Sequence, residues 1–309
     1  MYTKGMWDTK GNASMRQIEL KALAKINLGL DVLGKRENGY HDVRMIMQSI
    51  YLYDDVKLER KTAPGIELSS NLYYLPTGDG NIAYKAAQML IDEFGIEEGV
   101  KITLDKHIPV AAGMAGGSSN AAAVLFGMNR LFGLKLSKEN LMERGVKLGA
   151  DVPYCVMRGT VLAEGIGEEL KVLPSMPKCT VLIAKPSISV STKVVYEALD
   201  SSEVTVHPDI DGLIDAVERG SLKAVAACMG NVLESVTIPM HPVIEDIKNA
   251  MKECGALNAM MSGSGPTVFG LFENKMAARY AQDRIRELGL AKQAYVTNIH
   301  NARRDERWT

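Results

Sequence analysis

A glycine-rich segment between a strand pattern and a helical pattern constrains the fold of this chain most strongly. Residues 109–120 read PVAAGMAGGSSN. Before this segment, Val100, Ile102 and Leu104 alternate with polar residues, which predicts a strand. After it, apolar residues at helical spacing predict a helix from about Ser119 to Leu131. The predicted order is therefore strand, glycine loop and helix.

This loop has the chemistry of an anion-binding site. Small residues let successive backbone N–H groups form a concave nest, and the following helix adds free N–H groups and the positive end of its dipole. Glycine is needed where a Cβ would block a positive φ or hold a ligand away from the backbone. The simpler interpretation is a tight turn with Ser119 as an ordinary N-cap, but a turn rarely needs three glycines and two serines in seven residues. The sequence therefore predicts phosphate contacts from Pro109, Val110, Ala111, Ala112, Gly113, Met114, Ala115, Gly116, Gly117, Ser118 and Ser119.

Two better-known nucleotide motifs do not explain the chain. The dinucleotide fingerprint G-x-G-x-x-G does not occur. Residues 29–35, GLDVLGK, match G-x-x-x-x-G-K, but Arg36 follows where Ser or Thr is required, and the interior alternates as a strand does. We interpret this match as chance.

Charge and cysteine usage exclude several classes of protein. The chain has 36 basic and 37 acidic residues, so no broad field is available to hold a nucleic acid or an anionic membrane. The four cysteines lack C-x-x-C spacing and no H-E-x-x-H occurs, so no metal-ligating residue is predicted. No apolar run approaches the ~18 residues of a spanning helix, and residues 1–14 contain no apolar stretch of the length expected in a signal peptide. We expect a cytoplasmic protein without nucleic-acid or membrane partners, and leave its oligomeric state open.

The pattern along the chain divides it into two parts. Residues 1–14 are polar and are interpreted as an extension or tag remnant. A proline-bearing hinge at 173–177 separates a predicted domain at 15–175 from a second at 176–303.

Each half has its own predicted elements. In the first half, strands near 18–32 and 45–58 flank a turn at 37–39, and Asn81 and Gly95 bracket a helix at 82–94. In the second half, a helix at 222–233 precedes an α-β-β-α-β order, which favours helices on one face of an antiparallel sheet. The predicted fold class is α+β.

Three further segments accompany the glycine loop. They are AKINL at 24–28 with Gly39-Tyr40-His41, GADVP at 149–153, and MSGSGPT at 261–267. Together and in this order they resemble the motifs of the GHMP kinase superfamily, named for galactokinase, homoserine kinase, mevalonate kinase and phosphomevalonate kinase. The Gly-Tyr-His triplet resembles the branch that acts on a cytidine-diphosphate-linked methylerythritol. Ala112 and Ala115 stand where many relatives have glycine.

The resemblance implies a fold and an activity. It implies an N-terminal ATP-binding domain like the second domain of S5 and a C-terminal, ferredoxin-like substrate domain. It also implies ATP-dependent phosphorylation of a substrate hydroxyl, giving a 2-phosphate and ADP in non-mevalonate isoprenoid precursor biosynthesis. ATP as co-substrate is expected to arrive with Mg²⁺, which Ser119 would touch, because no carboxylate pair is evident to hold the metal.

The resemblance assigns the acid–base chemistry to Lys25 and Asp151. Asp151, expected at a helix-to-strand corner, would accept the hydroxyl proton, and the ammonium of Lys25 would keep that carboxylate ionised. Without the resemblance, a turn carboxylate bonded to backbone and a solvent-exposed lysine at a sheet edge would be the simpler interpretations.

The resemblance also implies a substrate pocket. Amide, imidazole and aromatic groups suit a pyrimidine edge and face, and a small-residue loop suits closure over the site. The predicted substrate contacts are Asn27, Tyr40, His41, Thr192, Tyr196, Gly263, Ser264 and Gly265. Core packing against Leu199 is the simpler interpretation of Tyr196, and a flexible hairpin is that of the loop. Asn81 and Lys106 are further candidates, for adenosine and phosphate respectively.

The sequence leaves two other functions open. One is a kinase of the same superfamily with another substrate, such as homoserine or mevalonate, against which the Gly-Tyr-His triplet argues. The other is a catalytically silent regulator, against which the presence of both Lys25 and Asp151 argues.

Overall fold

The computed structural model describes residues 15–202, 204 and 206–302. The predicted extension at 1–14 and the last predicted domain residue, 303, lie outside the described residues. In the described part, the strands form two sheets and helices pack against both, so the predicted α+β class is confirmed.

The first half contains six strands and four helices among the described residues. The strands are β1 Gln17–Lys35, β2 His41–Lys61, β3 Ile66–Ser70, β4 Gly99–Asp105, β5 Thr160–Glu164 and β6 Glu169–Val172. The helices are α1 Ile82–Phe94, α2 Gly116–Leu131, α3 Lys138–Val146 and α4 Val152–Met157.

The second half contains the remaining described elements. Its strands are β7 Thr180–Lys185, β8 Gly230–Asn231, β9 Asn258–Met261, β10 Val268–Phe272 and β11 Gln293–Asn298. Its helices are α5 Thr192–Asp200, α6 Ile210–Glu218, α7 Leu222–Cys228, α8 Glu234–Met240, α9 Val243–Glu253 and α10 Lys275–Glu287.

A long antiparallel pair, β1 and β2, forms the centre of the first sheet. The strand order is β3-β4-β2-β1-β8, with β5 on β2 and β6 on β5. The pairing of β1 with β2 shifts register between Leu23 and Lys25 and again between Asn27 and Gly29. Such irregularities bend a strand and redirect its side chains. The two shifts flank Lys25 and Asn27, which both face the site described below.

Helices α1 and α2 cover this sheet. Helix α1 has the predicted bounds because both end signals are local: Asn81 accepts from the backbone N–H of Ala83, and Gly95 ends the helix at φ 60°. Helix α2 is buried along most of its length and begins at Gly116, earlier than predicted. The glycines after Ala115 therefore form its first turn rather than a separate loop.

The second sheet is antiparallel in the order β11-β7-β10-β9. Helices α9 and α10 pack against it and against each other, so they share one face, as predicted. The single helix predicted at 222–233 is wrong. Helix α7 ends at Cys228, and Gly230 and Asn231 instead pair in parallel with Gly29 and Leu30 of β1. Pairing with a distant strand overrides the local helical pattern here.

Residues 173–179 have no regular secondary structure. Since β8 joins the first sheet from the second half, the domain boundary near 175 stays a prediction. None of the described helices is both long and apolar enough to cross a membrane.

Candidate active site

A cleft of about 650 Å³ collects most of the predicted site residues. It is lined from the first half by strand β1, the turn that follows it, the glycine loop and the start of α4, and from the second half by α5 and the loop after β9. The predicted residues on its wall are Lys25, Asn27, Tyr40, His41, Gly113, Ala115, Ser118, Asp151, Thr192, Tyr196, Gly263 and Ser264.

Lys25 lies at the centre of the polar wall. Its ammonium donates to Asn27 Oδ1 at 2.6 Å and lies 3.9 Å from Asp151 Oδ2. The lysine is 5% exposed, and its backbone N–H donates to the carbonyl of Met114 in the glycine loop at 3.2 Å. A buried ammonium requires polar partners, and Asn27 and Asp151 supply them. The simpler interpretation of Lys25 as an exposed sheet-edge residue is wrong.

Asp151 occupies a helix-to-helix corner instead of the predicted helix-to-strand corner. It follows α3 and is the N-cap residue of the short helix α4, whose first turn contains Pro153. Its carboxylate makes no capping hydrogen bond and is 32% exposed. The carboxylate therefore faces the cleft beside the Lys25 ammonium. The neighbouring thiol of Cys155 is no competing nucleophile, because burial raises its pKa and disfavours the thiolate.

The glycine loop takes its shape from fewer glycines than the sequence suggests. Positive φ occurs at Gly113 (70°), Ala111 (50°) and Ala115 (56°), but not at Gly116 or Gly117. A positive φ is therefore not the reason for glycine at Gly116 and Gly117, which form the first turn of α2. The unpaired N–H groups of that turn lie at the loop, as an anion site requires.

The two serines of the loop have different environments. Ser118 lines the cleft. Ser119 donates its hydroxyl to the carbonyl of Leu23 at 2.7 Å and is 3% exposed, so it attaches α2 to β1. It is not the N-cap, a position that Ala115 occupies.

The loop after β9 contacts the glycine loop directly. Ser262 Oγ donates to the carbonyl of Gly113 at 3.0 Å, and Ser264 Oγ lies 2.8 Å from Thr192 Oγ1 at the start of α5. Asn231 Nδ2 donates to the carbonyls of Met261 and Gly263 at 2.9 and 2.8 Å. This loop joins antiparallel strands β9 and β10, but these contacts hold it against the cleft, unlike a flexible hairpin.

The Gly39-Tyr40-His41 turn brings His41 to the far wall of the cleft. The His41 side chain is 9% exposed, and its ring centroid lies 4.7 Å from that of Tyr196 on α5. Burial raises the pKa of Tyr196 to about 12, so this ring is a neutral phenol. Tyr40 is 58% exposed.

Sequence reasoning missed Asp200, which holds His41, and Lys35, which pairs with Asp200. Asp200 Oδ1 lies 2.7 Å from His41 Nε2, and Asp200 Oδ2 accepts from Lys35 Nζ at 2.6 Å. Both Lys35 and Asp200 line the cleft. A signal for Asp200 exists in the sequence, because it lies one helical turn after Tyr196 and so on the same face of α5.

Asn81 and Lys106 lie apart from the cleft wall. Both ends of the Asn81 carboxamide serve the start of α1, since Oδ1 accepts from Ala83 and Nδ2 donates to the carbonyl of Pro76 at 2.9 Å. The ammonium of Lys106 is buried against Asp54 and donates to Asn120 Oδ1 at 2.7 Å.

Asp54 forms the centre of this buried cluster. It also accepts from the backbone N–H of Ile108 at 2.8 Å and from Asn120 Nδ2 at 2.9 Å. The cluster joins β2 to the segment that enters the glycine loop and to α2.

The described residues contain no group of three His, Cys, Asp or Glu side chains that could hold a metal ion. Around the cleft, the hydroxyl of Ser118 and the carboxylate of Asp151 are oxygen groups of the kind that Mg²⁺ accepts, though too few for a cage of their own.

Comparisons with known proteins agree with the geometry. Two family models match, the GHMP kinases N terminal domain over residues 81–159 and the GHMP kinases C terminal over 213–290. A curated relative from Lachnospira eligens, named 4-diphosphocytidyl-2-C-methyl-D-erythritol kinase, is 56% identical over 92% of this chain and 98% of its own. One of the same name from Lachnoclostridium phytofermentans is 56% identical over 93% and 98%. The chain belongs to the 4-diphosphocytidyl-2-C-methyl-D-erythritol kinase family of the GHMP kinases.

Solved structures extend this result. A crystal structure of 4-(cytidine 5'-diphospho)-2C-methyl-D-erythritol kinase is similar with a TM-score of 0.78 and 31% identity, covering 92% of this chain and 100% of that one. Homoserine kinase from Cytophaga hutchinsonii has a TM-score of 0.75 at 20% identity, over 93% of this chain and 96% of that one. That second likeness shows the shared fold alone. The superfamily expected from the sequence motifs is thus confirmed.

Proposed function

We propose that this GHMP kinase transfers the γ-phosphoryl group of ATP to a hydroxyl of 4-diphosphocytidyl-2-C-methyl-D-erythritol, giving the 2-phosphate and ADP for non-mevalonate isoprenoid precursor biosynthesis. The observation that supports this best is the pairing of Lys25 and Asp151 in a cleft that the glycine loop and His41 also line. The names of the curated relatives, which cover nearly the whole chain, support the choice of substrate.

Asp151 is the proposed proton acceptor. The substrate hydroxyl oxygen attacks the γ-phosphorus, its proton passes to the Asp151 carboxylate, and ADP leaves with the electrons of the broken P–O bond. The ammonium of Lys25, 3.9 Å from that carboxylate, stabilises negative charge on the attacking oxygen. General base assistance of this kind contributes roughly 10²–10⁴-fold.

The glycine loop is the proposed phosphate site. The first turn of α2 begins at Gly116, so its free N–H groups and positive dipole end lie where the loop borders the cleft. The loop after β9 lies against the same segment through Ser262 and Gly113. We infer that Gly263, Ser264 and Gly265 add N–H groups to substrate phosphates when the two loops close on their ligands.

The far wall is the proposed nucleobase site. His41 offers hydrogen bonds to the edge of cytosine, and the exposed ring of Tyr40 is available to stack on the base. Asn27 lines the same cleft, where its Oδ1 accepts from Lys25. Tyr196 supports this set from α5 by packing on the His41 ring.

Mg²⁺ is proposed to enter with ATP. When bound, the ion would neutralise charge on the phosphates, as it does in phosphoryl transfer generally. Ser118, which lines the cleft, is the hydroxyl that would reach it, in place of the buried Ser119 expected from the sequence.

A coupled assay of ADP release tests the proposal. The purified chain is mixed with ATP, Mg²⁺ and one acceptor at a time: the diphosphocytidyl substrate, homoserine or mevalonate. We expect turnover with the diphosphocytidyl substrate alone. Turnover with another acceptor would assign a different GHMP kinase activity, and ATP binding without turnover on any acceptor would favour a silent regulator.

A further inference from the structure

One carboxylate, that of Asp200, holds two basic side chains at the edge of the cleft. His41 Nε2 lies 2.7 Å from Oδ1, and Lys35 Nζ lies 2.6 Å from Oδ2. Asp200 ends helix α5, one turn after Tyr196, whose ring packs on the same imidazole at 4.7 Å between centroids. One face of α5 therefore fixes both the position and the plane of the His41 ring.

The carboxylate also determines which ring nitrogen carries the proton. Hydrogen bonds from Lys35 and then from His41 hold the pKa of Asp200 below its usual range, so it is ionised at neutral pH. An ionised carboxylate only accepts hydrogen bonds, so Nε2 must donate.

The other ring nitrogen is left for a ligand. Within residues 15–202, 204 and 206–302, Nδ1 of His41 has no hydrogen-bond partner, although the side chain is only 9% exposed. In the neutral ring with its proton on Nε2, Nδ1 presents a lone pair. His41 lines the cleft, so a lone pair on Nδ1 would be available to accept a hydrogen bond from an N–H group of a ligand.

We propose that Asp200 is a positioning residue that holds His41 with its proton on Nε2 and thereby makes Nδ1 an acceptor for the exocyclic amino group of cytosine. This inference rests on the proposed function, in which His41 reads the base. Uracil has a carbonyl at that position, and two acceptors facing each other leave both groups unpaired. The preference for cytidine over uridine is therefore set by a residue that does not touch the base.

Asp200→Asn tests the proposal because an amide offers one acceptor and one donor. Lys35 only donates, so it takes the amide oxygen, and the NH₂ group then faces Nε2. The ring must move its proton to Nδ1, as happens when an amide replaces the carboxylate behind a catalytic histidine. We expect the ratio of kcat/KM for cytidine and uridine diphospho-substrates to fall about 10-fold or more, mainly through KM of the cytidine substrate, with KM of ATP unchanged.

A double variant, Lys35→Met with Asp200→Asn, distinguishes this mechanism from loss of packing. Without the lysine, the amide is free to turn its oxygen to Nε2, so the cytidine preference should return. Lys35→Met alone should keep the preference, because Asp200 still accepts from His41. Asp211→Asn is the charge control, since Asp211 pairs with Arg44 at 2.7 Å and does not line the cleft; it should also keep the preference.

The outcomes separate this inference from the function on which it rests. Absence of ADP release by the wild type with the cytidine substrate would remove the proposed function before any variant is compared. With an active wild type, an Asp200→Asn protein that loses both activities equally, at an unchanged ratio, would overturn the inference. So would a double variant that fails to regain the preference. The side chains of Lys35 and Asp200 are 53% and 25% exposed, so we expect each variant to fold, and its circular dichroism spectrum is compared with that of the wild type.

Discussion

Ser262 donates its hydroxyl to the carbonyl oxygen of Gly113 at 3.0 Å, across 149 positions of the chain. This bond joins the proposed phosphate loop of the first half to the substrate loop of the second. At Gly113, an added Cβ would lie 2.1 Å from the Ser262 carbonyl oxygen and 3.3 Å from that of Gly265. The approach of the two loops therefore depends on the missing side chain at Gly113.

We predict that Gly113→Ala separates the loops and impairs both stability and catalysis. The φ of 70° alone costs an L-residue about 1–2 kcal/mol, and the overlap with Ser262 adds to this cost. Urea unfolding and kcat/KM with the diphosphocytidyl substrate measure the two effects. Gly117→Ala is the matched stability control, because its Cβ meets only Ile82 at 3.5 Å and its φ is not positive. Equal stability of the two variants would contradict the argument.

Asp151→Asn should abolish proton transfer while preserving the shape of the site. We expect kcat to fall by at least about 10², with KM for ATP and substrate within a few-fold, since the amide keeps the volume but cannot take a proton. Steady-state kinetics of ADP release provide the measurement. Near-normal turnover in this variant would remove Asp151 from the mechanism.

Lys106→Met should lower the free energy of unfolding. Asp54 is fully buried, so loss of the Lys106 ammonium leaves its charge uncompensated, which costs about 3–5 kcal/mol. The matched control is Lys57→Met on the same sheet, which breaks a partly exposed pair with Glu59 and should cost no more than about 1 kcal/mol. Urea denaturation followed by circular dichroism compares the variants. A raised KM for ATP without a stability loss would instead support the phosphate contact expected from the sequence.

Residues at the ends of a helix are sufficient to predict part of the fold from the sequence. The bounds of α1 follow from Asn81 and Gly95, because a cap acts on the helix next to it. The local helical pattern at 222–233 does not predict strand β8, because Gly230 and Asn231 pair with β1, which is distant in the sequence.

In the candidate site, too, local motifs are predictable from the sequence, whereas pairs of residues that are distant in the chain are not. Motif order pointed to Lys25 and Asp151, which the fold brings to 3.9 Å. The pairing of Lys35 with Asp200 spans 165 positions, and no pattern around either residue predicts it. Lys106 looked available for phosphate because its partner Asp54 lies 52 positions away. A side chain's charge is readable from sequence, but the partner that neutralises it is a property of the fold.

His41→Ala should remove base selection while leaving the phosphate site intact. If the ring reads the cytosine edge, the wild type should reject the uridine analogue by roughly 1–3 kcal/mol, because exchange of an amino donor for a carbonyl leaves groups unpaired. The variant should show a higher KM for the cytidine substrate and a smaller preference, with KM of ATP nearly unchanged. His207→Ala is the matched control, since His207 also pairs with an aspartate, Asp31 at 2.7 Å, and does not line the cleft. The measurement is kcat/KM for both substrates in the three proteins. Equal discrimination by wild type and His41→Ala would make His41 a structural residue of its turn and would move the nucleobase site elsewhere in the cleft.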